Sequence, residues 1–159
     1  MKNFRVGTGY DVHQLKNNNK LILGGVLIPH YKGTVAHSDG DVVIHAICDA
    51  LLGAAGLGDI GHFFPDNDSN YKDIDSKILL KDVYKMIQQK NFSVVNVDVS
   101  IVLEVPKLKN YLLDMKMQIS KCINISVNDI NIKATTSEKL GFIGREEGVA
   151  CYATILIAC

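Results

Sequence analysis

An aspartate and two histidines near the start of the chain have the residue types and spacing of a metal site. Asp11 and His13 are two positions apart, and in a strand or extended loop such residues point to the same side. His45 follows in a segment that reads as the start of a helix. Two nitrogen ligands and one oxygen ligand suit zinc, and three protein ligands leave a fourth position open for chemistry. The alternative is that each histidine is an ordinary core or surface residue, because this spacing alone is only moderately specific.

The segment before His45 has the features of an anion site. Ser38 and Asp41 have the spacing of a capping box, which predicts a helix from about Asp39 with free backbone N–H groups at its start. A helix N-terminus favours an anion such as phosphate, and His37 lies just before it. Together with a metal, these groups indicate a diphosphate site. An ordinary capped helix without a ligand is the alternative.

The composition predicts one domain over residues 1–159. Apolar residues make up 47% of the 159, which excludes a disordered chain. Lysine plus arginine and aspartate plus glutamate balance at 17 each, so no nucleic-acid partner is expected. The four cysteines form neither a CxxC pair nor zinc-finger spacing, which is typical of reduced thiols in an intracellular protein. No stretch has the length of a membrane span, and no secretory signal is visible, so no membrane partner is expected.

The hydrophobic pattern predicts strands that alternate with helices. Strands are predicted at 4–9, 21–23, 26–28, 95–103, 131–135 and 149–158. Helices are predicted at 39–55, at 109–122 and in a segment capped by Asp75 or Ser76. Glycines at 56–61 end the first helix, a loop is predicted at 63–68, and a glycine-rich loop is predicted at 140–148. This order indicates a single α/β domain, α+β-like, with one sheet covered by helices on one face.

The last predicted strand is apolar on both of its faces. One face carries Val149, Cys151, Ala153, Ile155 and Ile157, and the other carries Ala150, Leu156 and Ala158. Three helices can cover one face of the sheet, so the second face is predicted to pack against other copies of the chain. Coverage by loops is the alternative.

Six blocks, in order along nearly the whole chain, resemble the family of 2-C-methyl-D-erythritol 2,4-cyclodiphosphate synthases of the non-mevalonate isoprenoid pathway. The blocks are GTGYDVH at 7–13, AHSDGDV at 36–42, DALLGA at 49–54, GDIG at 58–61 with FPD at 64–66, NVD at 96–98, and KATTSEKLGF at 133–142 with GR at 144–145. The resemblance implies a lyase that converts 4-diphosphocytidyl-2-C-methyl-D-erythritol 2-phosphate to the cyclic diphosphate and CMP. It also implies a homotrimer with active sites between subunits and sheets around a central apolar channel.

The resemblance implies a role for each matching residue. Asp11, His13 and His45 would hold zinc, and Glu138 would hold a second divalent cation, magnesium or manganese. His37 and Thr136 match positions that stabilise the transition state. The implied substrate contacts are Asp59, Gly61, Phe64 and Asp66 for the methylerythritol part, Leu103, Pro106, Lys107, Leu108 and Thr135 for the cytidine-phosphate part, Phe142 and Arg145 near the channel, and also Ser38 and Asp68. Taken singly, most of these residues could instead have a purely structural role, such as a turn residue for Asp59 and a core residue for Phe64.

Three points stay open from the sequence. Asp49 lies one turn past His45 and could orient its second ring nitrogen. Ser137 stands where a third threonine is frequent in the family, and the segment 103–105 is bulkier and more acidic than is often seen there. The compartment would be the cytoplasm in a bacterium, or the plastid or apicoplast stroma if a presequence was removed.

Two other functions compete with the synthase reading. A metal-dependent phosphoesterase that hydrolyses a nucleotide diphosphate is compatible with the same ligands. A non-catalytic trimer that binds isoprenoid diphosphates is the other, although Glu138 argues against it because a structural zinc needs no second-metal ligand. A nicotinamide-binding enzyme is not indicated, because the glycines at 7 and 9 are not followed by glycine at 12, and no Walker-type motif is present.

Overall fold

The computed structural model describes residues 3–65 and 67–159. Within them lie a five-stranded sheet and a two-stranded hairpin. The strands are β1 (Phe4–Asn17), β2 (Leu21–Leu23), β3 (Val26–Ile28), β4 (Lys32–Val35), β5 (Ser93–Val102), β6 (Ile130–Thr135) and β7 (Gly148–Ala158). The helices are α1 (Val42–Ala55), α2 (Ile60–Phe63), α3 (Ser76–Gln89), α4 (Leu112–Ile123) and α5 (Gly141–Gly144), with 3-10 turns at Ser69–Tyr71 and Val127–Asp129.

The five-stranded sheet is mixed. Its order is β4-β1-β7-β5-β6, and only the β5–β6 pair is parallel. The long central strands β1 and β7 pair from Phe4 opposite Ala158 to Gln14 opposite Gly148. The helices α1, α3 and α4 pack on one face, and the apolar core lies between them and the sheet. The predicted single α/β domain with helices on one face is confirmed.

Two glycines of β1 allow α1 to lie directly on the sheet. A Cβ atom at Gly7 would overlap the backbone oxygen of Ala50, and one at Gly9 would overlap that of Ala46. Alternation along the strand places Gly7 and Gly9 on the same face as Asp11. The close approach of backbone to backbone therefore brings the first turn of α1 to the middle of β1, where Asp11 lies.

The first helix begins at Val42, three residues later than predicted. Asp41, not Ser38, caps it: the buried carboxylate accepts hydrogen bonds from the backbone N–H groups of Val43 and Ile44. The same carboxylate accepts from Gly24 and Gly25, in the turn between β2 and β3. Burial raises the pKa of Asp41 to about 6, against the lowering effect of the N–H donors. Asp41 thus accepts the hydrogen bonds of N–H groups that were predicted to be free. The prediction that these groups bind an anion is corrected accordingly.

Other departures from the predicted elements are additions at the loops. The first strand runs to Asn17 rather than to residue 9, because its pairing with β7 continues to Gln14 and its pairing with β4 continues from Gln14 to Asn17. The edge strand β4 and the short helix α2 were not predicted, and the short helix α5 lies in a segment predicted as a loop, since elements of four residues carry too little periodicity to be recognised. The predicted helix from about residue 109 begins at Leu112.

The sheet face away from the helices exposes large apolar side chains. They are Phe4, Val6, Tyr10, Val12 and Tyr152. The rings of Tyr10 and Tyr152, on neighbouring strands, have centroids 4.8 Å apart. On β7 itself this second face is only partly apolar, because Tyr152 and Thr154 are exposed between Ala150 and Leu156. Among the described residues no helix is long and apolar enough to cross a membrane. The four cysteines are free thiols, and three of them are buried.

Candidate metal centre and substrate cavities

The side chains of Asp11, His13 and His45 meet at one point between β1 and the first turn of α1. Nδ1 of His45 lies 3.1 Å from Oδ2 of Asp11 and 3.2 Å from Nε2 of His13. Nε2 of His13 lies 3.4 Å from the same carboxylate oxygen. Ligands at zinc distances of ~2.0–2.1 Å in a tetrahedron are about 3.3 Å apart. The triangle of these three atoms therefore has the dimensions of one face of a zinc tetrahedron.

Hydrogen bonding fixes the orientation of His13. Its Nδ1 lies 2.8 Å from the backbone oxygen of Val12. A carbonyl oxygen only accepts, so Nδ1 carries the hydrogen and, in the neutral ring, Nε2 presents a lone pair to the centre of the triangle. A neutral imidazole and a carboxylate that aim acceptor atoms at one point form a site for a cation.

The electrostatics at His45 also favour a positive charge. Burial acts to lower the pKa of His45, but the hydrogen bond to Asp11 and the charge of that carboxylate outweigh it, so the pKa is raised above its ordinary value. The positive charge at this point can come from a proton or from a metal ion. The donor set of two imidazoles and one carboxylate fits zinc.

The second ring nitrogen of His45 does not face Asp49. Nε2 lies 2.9 Å from Oγ of Ser76 and 3.2 Å from Oγ of Ser38. The carboxylate of Asp49 instead accepts a hydrogen bond from the backbone N–H of Ile60 at 2.8 Å, at the start of α2. The interpretation of Asp49 as the partner of His45 was wrong, because its side chain joins α1 to α2.

A cavity of about 500 Å³ adjoins the metal triad. Five predicted site residues line it together with His45: His13, His37, Ser38, Gly61 and Phe64. Sequence reasoning missed several other lining residues, which are Ala36, Ile60, Pro65, Asn67, Tyr71, Ile74 and Leu79. Tyr71 packs edge-on against Phe64, with ring centroids 5.4 Å apart. An aromatic residue in a polar loop was the only signal that could have indicated Tyr71.

Backbone contacts hold the rim of this cavity. Nε2 of His37 lies 2.9 Å from the backbone oxygen of Asp68, and the backbone N–H of Asp73 donates to the oxygen of His37 at 2.8 Å. Asp59, two residues before Gly61, is the N-cap of α2. Its carboxylate accepts a hydrogen bond from the backbone N–H of His62 at 3.0 Å. Asp66, predicted to contact substrate, lies outside the described residues.

A second cavity, of about 440 Å³, lies at the carboxyl end of β6. It brings together the predicted cytidine-phosphate residues and one predicted catalytic residue: Leu103, Pro106, Lys107, Leu108, Thr135 and Thr136. Lys109, Leu112 and Ala134 complete the lining and were not predicted. The parallel pairing of β5 and β6 explains this convergence, because both strands end at the same edge of the sheet.

Glu138 contacts Thr136, which lines this second cavity, and it is not part of the metal triad. Its Oε1 accepts a hydrogen bond from the hydroxyl of Thr136 at 3.1 Å, and its side chain is exposed. Register across the sheet places Asp11 opposite Cys151, Cys151 opposite Ile101, and Ile101 opposite Ala134. Three strand spacings of ~4.8 Å separate the two ends of this row by about 14 Å. Glu138 follows Ala134 by four residues, and it is not among the residues whose ligand atoms converge with those of Asp11.

The two residues predicted near the channel lie at a third place. Phe142 lines a cavity of about 600 Å³ with Tyr10, Val12 and His13, at the end of the β1–β7 pair. Arg145 is exposed and forms an ion pair with Glu147 at 2.9 Å. Because His13 borders both this cavity and the one beside the triad, the two cavities are neighbours.

Comparison with known proteins identifies the family. Residues 4–158 match the model of the YgbB family. This chain belongs to the YgbB family. The 2-C-methyl-D-erythritol 2,4-cyclodiphosphate synthase of Cellvibrio japonicus is 52% identical to this YgbB-family chain over 153 residues, which is 96% of each chain. The family indicated by the sequence motifs is confirmed, and with it the interpretation of the chain as an enzyme of this type.

Solved structures of the family share the fold. The bifunctional IspDF of Campylobacter jejuni superposes with a TM-score of 0.96 at 42% identity, over 99% of this chain and 43% of that one. This chain thus spans less than half of the bifunctional protein. IspF of Plasmodium falciparum, in a CDP complex, superposes with a TM-score of 0.85 at 39% identity. The match covers 97% of this chain and 95% of the Plasmodium chain.

Proposed function

We propose that this chain is a 2-C-methyl-D-erythritol 2,4-cyclodiphosphate synthase. The 2-phosphate of 4-diphosphocytidyl-2-C-methyl-D-erythritol 2-phosphate attacks the β-phosphorus of the same molecule. One P–O bond forms, the P–O bond to CMP breaks, and CMP leaves with that bridging oxygen. The observation that carries the proposal is the convergence of Asp11, His13 and His45 at the wall of a cavity, in a chain with full-length relatives of this name.

Two cations would complete the chemistry. Asp11, His13 and His45 would hold zinc, which fits their donor set and spacing, and Glu138 would hold magnesium or manganese through hard oxygen ligands. The bound cations would supply Lewis-acid polarisation of the phosphates and neutralise their negative charge.

The protein groups position the substrate and exclude water. Phe64 and Gly61 would enclose the methylerythritol part with Asp59 and Asp66, and Ser38 and Asp68 lie along the same rim. The nucleophile is tethered within the substrate, so correct positioning gives the advantage of an intramolecular reaction. We assign His37 and Thr136 to stabilising the charge that builds on the phosphoryl oxygens in the transition state.

The cytidine-phosphate part would occupy the second cavity. Its apolar wall is formed by Leu103, Pro106 and Leu108, and Thr135 adds a hydroxyl. Lys107 would neutralise phosphate charge, and the neighbouring Lys109 adds a second cation at the same wall.

A homotrimer would join these half-sites. Asp11 and Ala134, which lines the cytidine cavity, are separated by three strand spacings, or about 14 Å, within one sheet. A neighbouring copy would therefore supply the cytidine cavity that faces each zinc site. The exposed apolar sheet face, with Val6 and Tyr152, would be buried between copies, and Phe142 and Arg145 would lie near the channel. The reaction would take place in the cytoplasm of a bacterium, or in the plastid or apicoplast stroma of a plastid-bearing eukaryote.

The test is the identity of the products. The zinc-loaded protein is incubated with the substrate and magnesium, and the products are followed by phosphorus NMR. We expect equal amounts of CMP and the cyclic diphosphate, loss of turnover after chelation, and its return when zinc and magnesium are added together. A linear diphosphate with CMP would indicate the phosphoesterase, and binding without turnover would indicate the non-catalytic trimer.

A further inference from the structure

Ser76 joins the metal triad to a carboxylate that is not a metal ligand. It is the first residue of α3 and is fully buried. Its hydroxyl donates to Oδ1 of Asp39, and its backbone N–H donates to Oδ2 of the same residue at 3.0 Å. Its oxygen lies 2.9 Å from Nε2 of His45. The three side chains form a continuous chain of hydrogen bonds.

The direction of the hydrogens in this chain follows from Asp39. Carboxylate oxygens accept hydrogen bonds, so the hydroxyl hydrogen of Ser76 points to Asp39. Ser76 then has only lone pairs to offer to His45, and Nε2 must carry the ring hydrogen. In a neutral imidazole the other nitrogen, Nδ1, is the acceptor. Nδ1 is the atom that faces Asp11 and His13.

We propose that Ser76 is a positioning residue, which acts with Asp39 to hold His45 in the tautomer that binds zinc. Without Ser76, the ring can place its hydrogen on Nδ1 and donate it to Asp11, and in that form the nitrogen offers no lone pair to a metal. Hydrogen bonds to the outer nitrogen of a ligating histidine commonly fix its orientation in this way. The inference rests on the zinc site of the proposed function.

Ser38 is the competing partner, and the geometry favours Ser76. Oγ of Ser38 is farther from Nε2, at 3.2 Å, and it accepts a hydrogen bond from the N–H of Gly40. Among the described residues, no carboxylate accepts a hydrogen bond from the Ser38 hydroxyl. The Ser38 hydroxyl can donate to Nε2 or accept from it, so it is compatible with either tautomer of the ring. Ser76 donates to Asp39 and can only accept, so it is compatible only with the tautomer that carries hydrogen on Nε2.

The first experiment compares zinc affinities by competition with a chelator. Ser76→Ala is expected to weaken zinc binding about 10- to 100-fold, the range typical of such supporting partners. Ser38→Ala is expected to weaken it less. The matched control is Ser120→Ala in α4, which removes a hydroxyl bonded to the backbone oxygen of Ile125 and leaves zinc affinity unchanged. Equal affinities for Ser76→Ala and the wild type would overturn the inference.

The second experiment does not depend on the folding of a variant. Nitrogen-15 NMR of the zinc-loaded wild-type protein reports which ring nitrogen of His45 binds the metal and which carries hydrogen. We expect Nδ1 to be coordinated and Nε2 to be protonated; coordination through Nε2 would overturn the inference. If the wild type binds no zinc, the proposed metal site fails as well. If it binds zinc and turns over while Ser76→Ala binds equally, only the role of Ser76 fails.

Discussion

Oδ2 of Asp11 lies 3.1 Å from Nδ1 of His45, although the two residues are 34 positions apart in the chain. The first belongs to the central strand β1 and the second to the helix that lies on it. Gly7 and Gly9 make this distance possible, because side chains there would lift the helix from the strand. The candidate metal site therefore depends on a helix–strand contact that is built from residues without side-chain chemistry.

We expect Gly9→Ala to damage both stability and metal binding. The new Cβ would overlap the backbone oxygen of Ala46, so α1 must move away from β1 and take His45 with it. Overpacking of this kind costs about 1–3 kcal/mol. The measurements are urea unfolding and zinc content. Gly53→Ala is the control: apart from its chain neighbours and the backbone of its own helix, nothing lies within 4 Å of its Cβ position, and a helical glycine replaced by alanine gains up to about 1 kcal/mol. Equal behaviour of the two variants would contradict this account.

We expect His45→Ala to abolish stoichiometric zinc and most turnover while the fold is retained. The variant removes one of three protein ligands and leaves the cap of α1 on Asp41 intact. Metal analysis of the purified protein measures the loss, and circular dichroism checks the fold. His62→Ala, which removes an exposed histidine outside the triad, should keep its zinc. Unchanged zinc content in the His45 variant would show that the ligand assignment is wrong.

We expect Glu138→Gln to leave zinc in place and to weaken the response of turnover to added magnesium or manganese. The substitution removes one negative charge from the proposed second-cation site and keeps the side-chain shape. Activity is titrated against each metal, with zinc content measured in parallel. Glu147→Gln, at another exposed glutamate, should leave the metal response as in the wild type. Loss of both metals would instead indicate a structural role for Glu138.

We expect the protein to sediment as a trimer and Val6→Lys to dissociate it. Val6 is 64% exposed in the single chain, on the apolar sheet face, and a buried lysine there would lose its hydration. Leu113→Lys is the matched control, since Leu113 is 60% exposed on α4, which packs on the opposite face. Sedimentation velocity distinguishes the outcomes. A wild-type monomer at micromolar concentration would contradict both the interface and the shared active site.

The sequence alone was sufficient to predict features that depend on residues close together in the chain. The two-residue spacing of Asp11 and His13 predicts that they share a face, and the glycine at residue 56 correctly ends α1. The start of α1 was misplaced for a physical reason: the turn at Gly24 and Gly25 also needs an acceptor, and the buried Asp41 serves both. That requirement comes from the packing of the hairpin, which a capping pattern does not contain.

The hydrogen-bond partners of the candidate metal ligands could not be predicted from residues close together in the chain. Asp49 was a reasonable partner for His45 by helical spacing, yet its carboxylate is bonded to the N–H of Ile60. The side chain nearest to Nε2 of His45 is Ser76, which is 31 positions away and reaches it only because α3 packs beside α1. The separation of Glu138 from the triad likewise follows from strand order, which is a property of the whole sheet.

The most direct test of the central claim is the fate of water in the reaction. The substrate is incubated with the metal-loaded enzyme in oxygen-18 water, and the products are analysed by phosphorus NMR and mass spectrometry. Cyclisation transfers the β-phosphoryl group to the tethered 2-phosphate, so we predict one CMP per cyclic diphosphate and no heavy oxygen in either. Heavy oxygen in CMP or in a linear diphosphate would show hydrolysis and would contradict the synthase assignment.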